Sequence, residues 1–121
     1  MTDPSPTTPL MDEEAWYALL LQARRFRDAG HEEAFVDLAR TAFRFRPHRA
    51  EPLHDLARHY LATSRGDLAL LYADAGLSLE LPQHDSVGLE PDVYRFLMKE
   101  AFVIAASYSK NDGDKVRDRK S

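Results

Sequence analysis

Eight basic side chains crowd the first half of the chain: Arg24, Arg25, Arg27, Arg40, Arg44, Arg46, His48 and Arg49. Clustered arginines neutralise backbone phosphates, so the run has the chemistry of a nucleic-acid footprint. Asp28, Glu32, Glu33 and Asp37 lie among them, however, and 16 basic residues face 20 acidic ones, a net charge of -4. Interleaved signs point to solvated helix faces instead, and nucleic acid is not the expected partner. The five histidines offer no metal site. His54 and His59 are five positions apart, which turns them about 140° from each other on a helix. His31, His48 and His84 have no ligand at metal-site spacing, and the chain has no cysteine. No metal or cofactor is expected. Serine, histidine and aspartate are present, but no nucleophile-elbow motif arranges them into a triad, so the chain reads as non-enzymatic. Glu100 stands in an apolar stretch, either as a buried, paired acid or at an exposed helix edge. Tyr60 and Tyr108 read as core aromatics with a hydroxyl at the rim.

The elements that would position these residues are all helical. Residues 1–11 hold three of the seven prolines among Ser and Thr, too few apolar side chains to offset ordering entropy, and are expected to be disordered. A first helix is predicted over 12–29, with Asp12, Glu13 and Glu14 favoured by the dipole at its start. Its stripe is Trp16, Leu19, Leu20, Ala23 and Phe26, and Gly30 ends it. A second, over 32–45, carries Ala34, Phe35, Leu38, Ala39, Ala42 and Phe43 and stops at Pro47. A third begins near Pro52, whose missing N–H suits a first turn, and breaks at Ser64-Arg65-Gly66. A fourth has Asp67 as its expected cap and Pro82 as its end. Pro82–Glu90 is a loop with Asp85, Ser86 and Gly88 as turn residues. A fifth helix is predicted over 91–110, and residues 114–121 form a charged, flexible tail. With no apolar run of membrane-spanning length and no signal-peptide pattern, the expected location is cytoplasmic, without a membrane partner.

The helices repeat. Leu21 and Leu56, Phe26 and Leu61, Ala34 and Ala69, and Pro47 and Pro82 are each 35 positions apart. That is one residue longer than the tetratricopeptide period. The expected fold is an all-α, tetratricopeptide-like helical repeat of two and a half helix–turn–helix units over 12–113. Tyr108 falls 48 positions after Tyr60, so the third unit starts about a dozen residues late, the length of the intervening loop. In such an array the first helix of each unit lines a concave face. Here that face would present Trp16, Leu19, Ala23 and Arg27, then Glu51, His54, Arg58 and Leu61, then Lys99, Phe102 and Ser109. Arg27, His54, Arg58 and Lys99 would make a mildly basic groove for an acidic peptide or a C-terminal carboxylate. The plainer reading is a solvated face on which Glu51 pairs with His54 or Arg58 at helical spacing. The fifth helix is apolar nearly all round, with Phe96, Leu97, Val103 and Ile104 beyond its core stripe. Such a helix wants cover on more than one side, so a second copy of the chain, or a longer parent protein, is expected to supply it.

One further pattern runs from Arg49-Ala50-Glu51-Pro52-Leu53 through Leu56-Ala57, Tyr60, Ala69, Ala73, Gly76-Leu77, Pro82, Asp85, Val93-Tyr94 and Glu100 to Tyr108. It resembles the tetratricopeptide-like helical region that follows the catalytic domain in a group of bacterial family 2 glycosyltransferases. The resemblance covers about residues 15–113. It implies a helical repeat associated with glycosyl transfer, as a stand-alone interaction module or as the C-terminal part of such an enzyme. Catalysis does not transfer with it, since the chain has no alternating strand–helix pattern and no glycine-rich phosphate loop.

Overall fold

The computed structural model describes residues 12–108, and these form five helices with no strand among them. Helix α1 spans Glu13–Asp28, α2 Glu32–Phe45, α3 Glu51–Ala62 and α4 Gly66–Leu77. Residues 91–108 form α5, whose first part, Val93–Leu97, winds as a π-helix. The expected N-terminal segment 1–11, the end of the fifth helix, Ser109 and the tail 114–121 lie outside the described residues.

The boundaries follow local chemistry. Asp12 caps α1 by accepting the Ala15 N–H at 2.8 Å. At the other end Gly30 takes φ 83°, its N–H donates to the Arg27 carbonyl, and the His31 N–H donates to the Phe26 carbonyl. This pair of bonds is the Schellman closure. The same closure recurs at the end of α3, where Ser64 (φ 62°) donates to Leu61 and Arg65 donates to Tyr60. The two hairpins are therefore shut by one device, which in the second is carried by a serine at some cost in backbone strain. Three expectations about the second hairpin are corrected by this geometry. Gly66 is the first residue of α4 and not part of the break; Arg65 holds the cap position, so Asp67 sits inside the first turn; and α4 stops at Leu77, well before Pro82.

Helix α1 packs on α2, α2 on α3, α3 on α4, and α3 also meets the π segment. One buried cluster joins all five helices through Ala23, Phe35, Ala39, Leu56, Tyr60, Ala69 and Ala105. A second gathers Ala50, Leu53, Ala57, Ala73, Val93, Met98 and Ala101, and Trp16, Leu20 and Ala42 form a third. Small residues sit where helices cross and let backbones approach. At Gly76 the approach is closest, since a Cβ there would lie 2.3 Å from the Met98 Cε of α5 and the methionine side chain would have to swing aside. No helix among the described residues is long and apolar enough to cross a membrane.

Candidate functional site

The α4–α5 loop folds back against α1 and the segment that leads into α3, where Glu13, Arg24, Arg46, His48, Arg49 and Glu51 hold it. Glu13, on the first turn of α1, accepts the N–H groups of Ser86 and Val87 at 2.7 and 2.8 Å. Gly88 (φ 63°) lies against the Tyr17 ring so closely that a Cβ would stand 2.3 Å from it. Arg24 forms a fork across three elements, with Asp55 of α3 at 2.6 and 3.1 Å and Glu90 of the loop at 3.1 and 3.2 Å. Arg27 reaches the same Asp55 at 3.7 Å and its neighbour Asp28 at 3.0 Å.

Asp85 is the second anchor. Its Oδ2 accepts from Arg46 at 3.0 Å and from Arg49 at 3.4 Å, and lies 2.7 Å from His48 Nε2. Arg49 is fully buried, with its guanidinium 4.0 Å above the Trp16 ring. It donates to both oxygens of Glu51, also fully buried, at 3.1 and 3.3 Å, and to the Val87 carbonyl at 3.0 Å. Glu51 in turn accepts the Tyr94 hydroxyl at 2.7 Å and the Glu90 N–H at 2.9 Å. The Tyr94 oxygen accepts the Ala50 N–H at the start of α3. Each buried charge is thus met by opposite charge and by hydrogen bonds, the condition for tolerating it inside.

The electrostatics agree with a lock that is charged on both sides. Burial alone would raise the Asp85 pKa, but the bonds from Arg46 and His48 outweigh it and hold the carboxyl below its usual range. The Val87 and Ser86 N–H groups do the same for Glu13. Burial pushes the Tyr94 hydroxyl above its ordinary value, so it stays a donor to Glu51. For a carboxyl with a depressed folded pKa, stability is complete above the unfolded value and is lost as pH falls through the folded one. The melting temperature is therefore expected to fall as pH drops below about 5, toward about 2. The Asp85→Asn variant should start lower and show a flatter slope. Equal slopes in the two proteins would remove Asp85 from the lock.

These contacts relocate several of the residues singled out from sequence. Trp16 and Glu51 are core residues and line no open face; Glu51 pairs with Arg49 rather than with His54 or Arg58. Arg24, Arg46 and Arg49 are not solvated, because Asp55, Glu90, Asp85 and Glu51 hold them. Arg27 and His54 are partly covered, with burial pushing the His54 pKa down, whereas Arg58 and Lys99 are exposed. His59 Nε2 lies 2.7 Å from Glu32 Oε2, and Arg65 bonds the same oxygen. Glu100 is exposed, and Tyr108, at 54 % exposure, is not a core aromatic. Sequence reasoning passed over Asp55 and Glu90. Their only local signal is an acid on the inner stripe of α3 and another just before the proline that starts α5.

Open surface is found at the α1–α2 turn around Phe26 and His31, between α2 and α4 around Arg40, Phe43 and Leu71, and along α4 and α5. A shallow groove of about 470 Å³ is lined by Asp67, Leu70, Leu71 and Asp74 of α4 and by Phe102 and Ala106 of α5. A cleft of about 270 Å³ at Leu61, Ser64, Gly66 and Tyr108 lies by the start of α4 and the last described turn of α5. Leu71 is 60 % exposed, and Leu68, Leu77, Phe96 and Val103 are exposed as well. Phe102, Leu97 and Ile104 are half-buried on the flanks of α5. Among the described residues no group of three or more His, Cys, Asp or Glu side chains could hold a metal ion. No family model, curated protein or solved structure matches the chain.

Proposed function

We propose that the chain is a non-catalytic interaction module of tetratricopeptide-like type, which binds an amphipathic helix of a partner protein in the α4–α5 groove. The observation that carries this reading is Leu71, a leucine largely exposed on α4 beside Phe102 and Ala106 of the adjacent helix. In a stacked array of helical pairs, a further helix would pack against α4 and α5 here, so a partner helix would continue the existing pattern. Asp74 on the groove wall favours a ligand with lysine or arginine beside its apolar face. This ligand chemistry differs from the acidic peptide expected from sequence for Arg27, His54, Arg58 and Lys99, and Asp85 and Glu90 already pair with Arg46, Arg49 and Arg24 within the chain. The likeness of Arg49–Tyr108 to the helical region of family 2 glycosyltransferases suggests a bacterial glycosyl-transfer protein as the partner.

The test uses a labelled designed amphipathic helix with a leucine face and lysine flanks, followed by fluorescence anisotropy. Saturable binding is expected, weakened about 10-fold or more in Leu71→Asp, as for loss of a central apolar anchor. A twin peptide with glutamate flanks should bind more weakly. No binding of either peptide, or equal binding by the Leu71→Asp variant, would sink the groove as the site.

A further inference from the structure

Beyond the groove, α5 carries a second open surface, the stripe that faces away from its core residues Met98, Ala101 and Ala105. Its members are Phe96 (53 % exposed), Lys99, Glu100 and Val103 (64 % exposed). At helical spacing these four lie along one face, with the apolar pair two turns apart, about 10 Å, and the charges between them. Among the described residues, neither Lys99 nor Glu100 forms an ion pair within the chain.

The order apolar, positive, negative, apolar is self-complementary under one operation only. A two-fold axis between Lys99 and Glu100 places a second α5 antiparallel to the first. Phe96 of each copy then meets Val103 of the other, and each Lys99 meets the other copy's Glu100. A parallel two-fold pair would instead set lysine against lysine and glutamate against glutamate. Closed two-fold dimers need such a self-complementary patch, and flanking charges select helix orientation by penalising the wrong one. We infer that a second copy of this chain covers the outer stripe of α5, in an antiparallel α5–α5 pair with Lys99–Glu100 bonds at its centre. The attraction comes from burying Phe96 and Val103, while the exposed charge pairs, individually weak, fix orientation and register. Leu97 and Ile104, on the flank of the helix, lie outside the central seam.

Charge reversal tests the register without touching the core. Solution mass would be measured by light scattering and sedimentation over a range of concentrations at low salt. Five samples are needed: the unaltered chain, Lys99→Glu, Glu100→Lys, the double exchange Lys99→Glu/Glu100→Lys, and an equimolar mixture of the two single variants. The expected results are a concentration-dependent dimer for the unaltered chain and association weaker by about 10-fold in each single variant. Dimerisation should return both in the double exchange and in the mixture, where every facing pair is opposite in sign again. Circular dichroism should show all four chains equally helical. A monomer at every concentration would overturn the inference. So would a dimer indifferent to both single reversals, which would place the contact elsewhere. Failure of both the double exchange and the mixture to restore association would exclude the antiparallel register. Peptide binding through Leu71 is read separately, so either surface can fail alone.

Discussion

Replacing Glu51 by alanine is expected to lower the unfolding free energy by about 3–5 kcal/mol, the usual effect of removing one partner of a buried ion pair. Glu51 has no solvent exposure, and four donors converge on it: two from Arg49, the Tyr94 hydroxyl and the Glu90 N–H. Arg49, equally buried, would keep the Trp16 ring, the Val87 carbonyl and the longer contacts to Asp85 and Glu13, but lose its bidentate partner. Tyr94 would lose its acceptor, and with it the geometry that lets it receive the Ala50 N–H at the head of α3. Glu51→Gln keeps an acceptor but no charge, so a smaller loss is expected, about 1–3 kcal/mol. Urea titration monitored by helicity would read both variants. A loss under about 1 kcal/mol in Glu51→Ala would mean that water replaces the carboxylate, and that the lock is not closed.

The lock also explains which parts of this molecule can be read in its sequence. The first two helices are legible because period, cap and stop all lie within a few residues: Asp12, the stripe from Trp16 to Ala23, and Gly30 are each local signals. The α3–α4 turn is less legible, since Ser64 adopts a backbone conformation that glycine would advertise. The ionic lock was not legible at all. Its bonds join Glu13 to Val87 and Arg24 to Glu90 across most of the domain. Hydrophobic periodicity says which side of a helix is apolar; it does not say that a later loop will fold over the polar side. For that reason Arg24, Arg46 and Arg49 read as solvated cations, and Glu51 as a surface acid. Once Asp85 and Glu90 are laid beside them, the alternation of sign that had suggested an exposed face becomes an internal pairing scheme. Helix α5 shows the opposite error. It reads as apolar all round, yet the side turned outward mixes Phe96 and Val103 with Lys99 and Glu100.

Trp16 brings the two levels together, because its type suggested a contact residue and its position makes it a keystone. Its side chain has no exposed surface, packs with Leu20 and Ala42, and supports the Arg49 guanidinium at 4.0 Å. Trp16→Ala is expected to destabilise the domain by about 3–5 kcal/mol through lost burial and the cavity left behind. The cation–π contact with Arg49 adds to this, since its aromatic face would vanish while the charge stays inside. For a domain of this size each kcal/mol shifts the melting temperature by about 4–8 °C, so the variant should melt far below the unaltered chain or be largely unfolded at 37 °C. Trp16→Phe makes the sharper comparison. The indole N–H has no hydrogen-bond partner among the described residues, so phenylalanine removes a buried unsatisfied donor while keeping a ring beneath Arg49. Its loss should stay under about 1.5 kcal/mol, because ring volume decreases but a polar mismatch disappears. Calorimetry of the two variants separates the roles. A core keystone gives a large loss with alanine and a small one with phenylalanine, whereas a partner-facing tryptophan would leave both melting temperatures near that of the unaltered chain.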